Sequence, residues 1–344
     1  MLNTSPHRPR RALLALATVA ALASLAATSA CSGGSQDDSP DGADVSLGWS
    51  AGWTAPQIAV AGEEGYWQDH GLDVATTPFD SGRDALEALL GGGVDAAVLT
   101  EFPLAAAALR DQDVTAVAAL SSYDNYRVIG NRSSGVEDIG SLDGKKVGVT
   151  LGTNMNFILD ELLAENDVDA EIVNIGPADF ATSLANGDID AGLMFDTFYE
   201  PTRTALGDDY VEIEVPPELY TGTMLLVVSD TLLREAPGKV DGLVDAVGDA
   251  TATIADDPEG SRAILAESLV GSGGDGGGVV DEATVRERWD EYDYAPSDSS
   301  ALRDMMVREG EWIRESGGSD SVGQEGGGED VGEKVDGVLD PGRL

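Results

Sequence analysis

Two stretches of the sequence, SLGWSAGWTAP at residues 46–56 and KVGVTLGTNMN at residues 146–156, decide the fold that the sequence predicts. They share one frame: Gly, any residue, Ser or Thr, any residue, Gly, any residue, and then a polar residue that opens a helix. A short apolar strand precedes each frame, and a helical pattern follows it. The chain therefore builds the same strand-to-helix turn twice, about one hundred residues apart.

Each turn opens a βαβαβ pattern. The predicted strands are 45–49, 72–79, 94–100, 146–150, 170–175 and 188–195, and the predicted helices are 56–65, 83–90, 154–166 and 178–187. Residues 84–101 also align without gaps on residues 179–196, which places Glu101 opposite Asp196. Parallel strands joined by helices bind ligands beyond their carboxyl ends, so two such sheets facing each other predict a cleft.

The amino-terminal thirty residues are typical of a secretory signal. Four basic or histidine residues precede an Ala-rich apolar run that is too short to span a membrane permanently. Arg10 and Arg11 leave a twin-arginine export route open. Residues 31–44, rich in Ser, Gly and Asp, predict a flexible tether.

Cys31 is the single cysteine of the chain and follows the small residues of ATSA, where a bacterial lipoprotein carries its lipidated residue. The motif departs from the usual pattern because Thr28 stands where Leu is commonest. An ordinary cleavage site with an incidental cysteine is the alternative. We expect lipidation at Cys31 and an extracytoplasmic location on the cell membrane.

The net charge of −43, from 63 acidic and 20 basic residues, excludes a nucleic-acid partner because the basic footprint that phosphates require is absent. Self-repulsion of this size disfavours the folded state at low ionic strength, and about 1 M salt shortens the Debye length to roughly 3 Å. The composition therefore predicts a halophilic source. A generally soluble acidic surface is the alternative reading of the same charge.

The two sets of elements resemble the extracytoplasmic solute-binding proteins of ABC importers in the nitrate, sulfonate and taurine group, which share their NMT1/THI5-like domain with thiamine-precursor binding proteins. The phrases that carry the resemblance are APQIAVAGEEGYWQDHGLDV (55–74), FDSGRDALEALLGGGVDAAV (79–98), SLDGKKVGVTLGT (141–153) and NIGPADFATSLANGDIDAGLMF (174–195). The resemblance implies a type II periplasmic-binding-protein fold: two α/β lobes around a ligand cleft, with two hinge crossovers.

That implication gives the expected domain boundaries. Lobe 1 comprises residues 45–125 and 229–315, and lobe 2 comprises residues 126–228. The crossovers are expected within residues 114–130 and 221–230. The glycine insert at 271–278 departs from the family, and residues 316–344 form an acidic, Gly-rich tail outside lobe 1, to which the composition assigns no structure.

The candidate ligand-binding residues follow the predicted strand ends, where helix N-termini and polar side chains meet a ligand. Capping of the helices explains the Ser, Thr and Asn residues equally well, and core packing explains the aromatic ones. Glu101 and Asp196 both face the cleft in this interpretation. The candidates are Ser50, Trp53, Thr54, Ser81, Arg83, Thr100, Glu101, Thr153, Asn154, Asn156, Asp196 and Tyr199.

The sequence offers little for catalysis. His70 follows a predicted helix in a surface turn, and no second His or Cys joins it, so we expect neither a metal nor another cofactor. Two function classes remain: a monomeric, lipid-anchored receptor that hands a small solute to an ABC permease and its ATPase, and an enzyme of the pyrimidine-synthase or dehydratase type on the same fold. Two facing carboxylates favour a ligand with an amine or a ring N–H over a simple anion.

Overall fold

The computed structural model describes residues 44–49, 52–271, 282–296, 299–316 and 330–344. The signal segment, Cys31 and Ser50 lie outside these residues. The strands are β1 Val45–Trp49, β2 Val74–Pro78, β3 Ala96–Thr100, β4 Val114–Tyr123, β5 Arg127–Asn131, β6 Lys146–Val149, β7 Glu171–Asn174, β8 Ala191–Leu193, β9 Tyr210–Glu214 and β10 Gly222–Ser229.

Helices cover both sheets, and every helix predicted in the two repeats is present within one or two residues of its expected bounds. The helices are α1 Pro56–Glu63, α2 Tyr66–Asp69, α3 Gly82–Leu90, α4 Glu101–Leu109, α5 Asn154–Glu165, α6 Phe180–Asn186, α7 Tyr199–Leu206, α8 Asp230–Glu235, α9 Pro237–Asp256, α10 Pro258–Gly271, α11 Glu282–Arg288, α12 Ser299–Ser316 and α13 Val331–Asp336. Within the described ranges, none of the helices has the length and apolarity that a membrane crossing requires.

The described strands form two five-stranded sheets with the same architecture. Their orders are β2-β1-β3-β10-β4 and β7-β6-β8-β5-β9. In each sheet the three strands of the repeat are parallel, and the fourth strand, β10 or β5, runs antiparallel to them. The antiparallel strand is the one that arrives from the other sheet. These sheets are the two α/β lobes that the resemblance implies.

Matching side chains reinforce the repeat in the two sheets. Asp95 accepts hydrogen bonds from the backbone N–H and the hydroxyl of Ser46 at 2.8 and 2.7 Å. Asp190, its partner in the gapless alignment, accepts from the backbone N–H of Lys146 at 3.0 Å. Gly92 and Gly187 are aligned as well, and both adopt the left-handed backbone, with φ of 72° and 73°, that favours glycine.

The chain crosses between the lobes at residues 124–126 and again at residues 215–221, on either side of β5 and β9. The second boundary corrects our expectation that lobe 2 extends to residue 228. β10 pairs with β3 and β4 along its length, so it belongs to the sheet of lobe 1. Seven of the eight residues of β10 are buried. Such burial is typical of a strand that is flanked by other strands in its sheet, which explains why β10 belongs to lobe 1.

The carboxyl-terminal segment corrects a second expectation. Residues 330–344, which we placed in an acidic tail outside lobe 1, include α13 and pack on lobe 1 beside α4 and α12. Val331, Val335 and Val338 are buried at helical spacing, and Leu339 forms a parallel bridge with Ala116 of β4. A short apolar stripe therefore outweighs the acidic composition around it.

Candidate ligand-binding cleft

A cleft lies between the two lobes, at the carboxyl ends of the parallel strands. It holds about 760 Å³ of atom-free space, counted to its open mouth. Its walls are formed by Gly52, Thr54, Asp80, Ser81, Gly82, Arg83, Val98, Thr100, Pro103, Tyr123, Asn125, Tyr126, Thr153, Asn154, Met155, Phe195, Asp196, Thr197, Tyr199 and Met224.

Most of the residues that the sequence selected lie on these walls. The cleft brings together Thr54, Ser81, Arg83, Thr100, Thr153, Asn154, Asp196 and Tyr199. Ser50 falls outside the described residues, so its predicted role stays a prediction. Trp53, Glu101 and Asn156 are not among the wall residues.

The capping alternative applies to one of the polar residues. Ser81 accepts a hydrogen bond from the backbone N–H of Asp84 at 3.2 Å and so caps α3. Thr153 makes no capping bond at α5 and donates its hydroxyl to the carbonyl oxygen of Thr150 at 2.7 Å. Asn154 donates its side-chain amide to the Tyr126 hydroxyl at 3.2 Å, which joins lobe 2 to the first crossover inside the cleft.

Glu101 does not face the cleft as we expected. Its side chain turns into lobe 1, is fully buried, and accepts hydrogen bonds from the Tyr220 hydroxyl and from the Thr223 backbone N–H, the latter at 2.7 Å. The position at the start of α4 aims the side chain toward β10 and the second crossover. The strand-end argument located the residue correctly but not the direction of its side chain.

Trp53 and Asn156 also differ from their expected roles. Trp53 is 1% exposed, and its indole N–H donates to Oδ2 of Asp196, so its ring is not open to a stacking ligand. Asn156 lies in the first turn of α5, where its backbone N–H donates to the carbonyl oxygen of Thr153 at 3.1 Å. Trp53 therefore supports the wall residue Asp196 from behind, and Asn156 takes part in the first turn of α5.

Asp196 is the acidic group of the cleft wall contributed by lobe 2. Its Oδ2 accepts hydrogen bonds from the Trp53 indole and from the Tyr292 hydroxyl, both of which belong to segments packed on lobe 1. Loss of hydration raises the pKa of Asp196, whereas the Tyr292 hydroxyl, Arg288 and the Trp53 N–H oppose the rise by favouring the charged form. Among the described residues, no side chain donates to Oδ1.

Basic residues in the cleft are few. Of the described wall residues, only Arg83 carries a positive charge, beside the carboxylates of Asp80 and Asp196. Arg83 donates to the Leu151 carbonyl oxygen across the cleft at 2.9 Å and pairs with Glu87 at 3.2 Å. The guanidinium of Arg83 is therefore partly engaged by a hydrogen bond and an ion pair within the protein.

Two of the four aromatic residues of the cleft wall, Tyr123 at the end of β4 and Tyr126 in the first crossover, were not selected by the sequence reasoning. Tyr123 and Tyr126 lie with ring centroids 5.3 Å apart, and Asn125 stands between them in sequence. Tyr199 is 1% exposed, with Arg288 at 5.0 Å and Arg127 at 5.8 Å from its ring centroid. The signal for the missed residues was the polar and aromatic run YDNY at a predicted crossing.

Comparisons with known proteins agree on the domain. A family model described as NMT1/THI5 like matches residues 55–261. A protein of Brucella abortus (strain 2308), named as a binding protein, is 26% identical over 237 residues, which cover 67% of this chain and 72% of that protein. The 4-amino-5-hydroxymethyl-2-methylpyrimidine phosphate synthase THI13 of Saccharomyces cerevisiae is 28% identical over 217 residues, 58% of this chain and 63% of the synthase.

Solved structures share the fold at low sequence identity. The alkanesulfonate-binding protein SsuA of Xanthomonas axonopodis pv. citri, bound to MOPS, superposes with a TM-score of 0.64 at 16% identity, over 79% of this chain and 92% of that one. The periplasmic nitrate-binding protein NrtA of Synechocystis PCC 6803 gives 0.63 at 14% identity, over 86% and 85%. The predicted two-lobed periplasmic-binding fold is confirmed.

Proposed function

We infer the function from one premise: this chain belongs to the NMT1/THI5-like family, whose model covers residues 55–261. We propose that the protein is the extracytoplasmic receptor of an ABC importer. It captures a small polar solute between its lobes as a monomer and delivers it to the permease, which the importer's ATPase drives. The interlobe cleft is the observation that carries the proposal, and the names of the Brucella relative and of SsuA support it.

The attachment of this receptor to the membrane is proposed from the sequence. Cys31 after a signal segment fits lipid anchoring, with the residues up to Asp44 as the tether. Metabolic labelling with a fatty acid tests this: the parent chain is expected to incorporate the label and a Cys31→Ala variant to lose it. Label retained by the variant would contradict the anchor.

The cleft favours a solute that carries an amine or a ring N–H. Oδ1 of Asp196 offers a charged acceptor, and Tyr123 and Tyr126 offer ring faces or hydroxyls beside it. A simple anion about 4 Å from this carboxylate would be disfavoured by roughly 4 kcal/mol at an effective dielectric constant near 20. Aminosulfonates and aminopyrimidines meet these conditions, since Arg83 and the N-terminus of α5 can receive a sulfonate or hydroxyl group.

Calorimetry in high-salt buffer tests the ligand class with three probes: taurine, 4-amino-5-hydroxymethyl-2-methylpyrimidine and nitrate. We expect binding of a nitrogen-donor probe and none of nitrate. Asp80→Asn is the matched control for Asp196→Asn, because Asp80 also lines the cleft but is exposed and, within the part of the chain that the structure describes, accepts no hydrogen bond from lobe 2. Nitrate binding by the parent protein, with no response to the other two probes, would overturn the ligand class.

An enzyme on the same fold is the second candidate, and the yeast synthases among the relatives are the observation that favours it. The described walls of the cleft carry no His or Cys, so carboxylates and tyrosines would have to supply the chemistry. Mass spectrometry after incubation of the pure protein with each probe distinguishes the candidates. A receptor returns the probe unchanged, and formation of a product would establish the enzyme.

A further inference from the structure

Three polar groups meet in the interior of lobe 1, behind the cleft. Glu101 begins α4, Tyr220 lies in the second crossover, and Glu309 belongs to α12; all three are buried, and both glutamates are fully so. The Tyr220 hydroxyl bonds to Oε1 of Glu101 and to Oε1 of Glu309, the latter at 2.7 Å. We call these residues the brace.

Counting hydrogens shows that the brace holds a proton. A phenol has one hydrogen to donate, so Tyr220 can donate to only one of its two carboxyl neighbours. The other must donate to Tyr220, which requires a protonated carboxylic acid. Glu101 already accepts from the Thr223 N–H, whereas Oε2 of Glu309 has no partner among the described residues, so Glu309 is the acid in the simplest assignment.

The charges around the brace agree with this count. Burial raises the pKa of Glu101 to about 7, against the bonds from Tyr220 and Thr223, and burial and the charge of Glu101 raise the pKa of Glu309 well above its usual range. Arg308 opposes the rise at Glu309 but also pairs with Glu161 of α5 at 3.2 Å. Two buried carboxylates on one hydroxyl would repel each other strongly, so the pair titrates as a unit.

The brace contacts a wall residue of the cleft. The Tyr220 ring meets the Tyr126 ring edge to face, with centroids 5.3 Å apart and planes at 75°. Gly222 leaves room for the Tyr126 hydroxyl, since a Cβ at this position would overlap it. Tyr126 in turn accepts from Asn154 of lobe 2. The hydrogen bonds that hold the Tyr220 ring in place therefore also hold Tyr126, which lines the cleft and joins the lobes.

We propose that Glu101, Tyr220 and Glu309 form a proton-holding brace that positions Tyr126 in the cleft, so that protonation behind the cleft changes the placement of this tyrosine. When Glu101 is ionised, Tyr220 donates to Glu101 and accepts from protonated Glu309. When Glu101 also takes up a proton, Glu101 donates to Tyr220, and Tyr220 donates to Oε1 of Glu309, whose own proton then lies on Oε2. The reversed bonds shift the Tyr220 ring against the ring of Tyr126. The effect on ligand affinity rests on the proposed function, whereas the brace itself does not.

The ligand-free protein tests the brace. The ring carbons of Tyr126 are followed by NMR from pH 5.5 to 8.5 in protein labelled with ¹³C-tyrosine, with the resonance assigned through Tyr126→Phe. We expect a shift with a single midpoint near 7 in the parent chain. The double variant Glu101→Gln/Glu309→Gln should show none, because amides keep the hydrogen bonds but do not titrate. His70→Gln is the control, since His70 bonds to Asp249 on the outside of lobe 1.

A Tyr126 resonance that does not move in the parent chain, moves equally in the double variant, or stops moving in His70→Gln would overturn the proposal. Infrared spectroscopy of the parent chain provides a second test that needs no variant. We expect the carbonyl band of a protonated carboxylic acid at pH 7, and its absence would also overturn the brace. If none of the three solute probes binds while both results hold, the proposed ligand class fails and the brace stands.

Discussion

Glu101 and Asp196 occupy the same place in the two repeats, yet they do different things. Glu101 directly follows β3, its aligned partner Asp196 lies three residues beyond the end of β8, and the sheets share one strand order. Glu101 is fully buried and bonds to Tyr220 and Thr223 within lobe 1. Asp196 reaches the cleft and accepts donors from Trp53 and Tyr292 across it.

The residues that surround each carboxylate explain why Glu101 and Asp196 have different roles. Glu101 opens the largely buried helix α4, which α12 covers, so its carboxylate has only interior groups to meet. Asp196 opens a short 3₁₀ turn at 196–198 that faces the other lobe. The repeat thus preserves the backbone, and the segments outside it, the crossovers and the C-terminal helices, determine what each carboxylate does.

The largest expected effect is on stability at Glu101. A Glu101→Ala variant leaves the Thr223 N–H without its partner, leaves the Tyr220 hydroxyl with Glu309 alone, and opens a cavity in the interior. We expect the free energy of unfolding to fall by about 3 kcal/mol, measured by urea unfolding in high salt. Asp196→Ala, at the equivalent position but beside the cleft, should cost less than half as much. Equal losses would contradict the comparison.

The next effect concerns binding at Asp196. Asp196→Asn keeps the shape but removes the charge that we assign to the ligand's nitrogen donor, so affinity for the probe that binds should fall by about 10- to 100-fold. Glu101→Gln should change affinity by less than about 3-fold at pH 6, where the brace is largely protonated. Calorimetry measures both. An unchanged affinity in Asp196→Asn would remove this residue from the ligand site.

A smaller effect is the pH dependence of stability. The folded pKa of Glu101, about 7, lies above its ordinary value of 4.5, so the folded state binds a proton more tightly than the unfolded state. Its contribution to stability is complete below about pH 4.5 and is lost as the pH rises to about 7, with a slope of at most about 1.4 kcal/mol per pH unit.

Glu101→Gln should flatten this part of the stability curve, because the amide does not titrate. Asp196→Asn is the matched comparison: burial raises the pKa of Asp196, but four neighbouring groups, the Thr197 backbone N–H among them, oppose the rise, so its effect on the slope should be smaller. Chemical unfolding at pH 5, 6 and 7 measures the slopes. A slope that is the same in Glu101→Gln and in the parent would refute the assignment of the titration to Glu101.

The sequence was sufficient for the fold because the fold depends on local signals. The apolar and helical patterns predicted the strands and helices of the two repeats, the gapless match of residues 84–101 to 179–196 supported them, and the strand ends located the cleft. The roles of Glu101 and Asp196 depend on distant residues instead. Tyr220 is 119 positions from Glu101, and Tyr292 is 96 positions from Asp196, separations at which single-sequence patterns carry no information.

Two exposed carboxylates between the lobes serve as the reference for Glu101 and Asp196. Their replacement should have the smallest effect on the free energy of unfolding. On α5, Asp160 accepts from the Trp312 indole N–H at 2.7 Å, and Glu161 pairs with Arg308 at 3.2 Å; both contacts join lobe 2 to α12 at the surface. Exposed pairs of this kind contribute about 0.2–1 kcal/mol, and about 1 M salt screens them because the Debye length is then roughly 3 Å.

We therefore expect Asp160→Asn and Glu161→Gln to change the free energy of unfolding by less than about 1 kcal/mol in dilute buffer and by less than about 0.3 kcal/mol in 1 M KCl. The loss in Glu101→Ala should persist in salt, since ions do not reach its fully buried site. Urea unfolding of these variants and the parent at both salt concentrations measures the difference. If salt erased the loss at Glu101 as well, the brace would be an exposed ion-pair effect and the contrast between the two repeats would disappear.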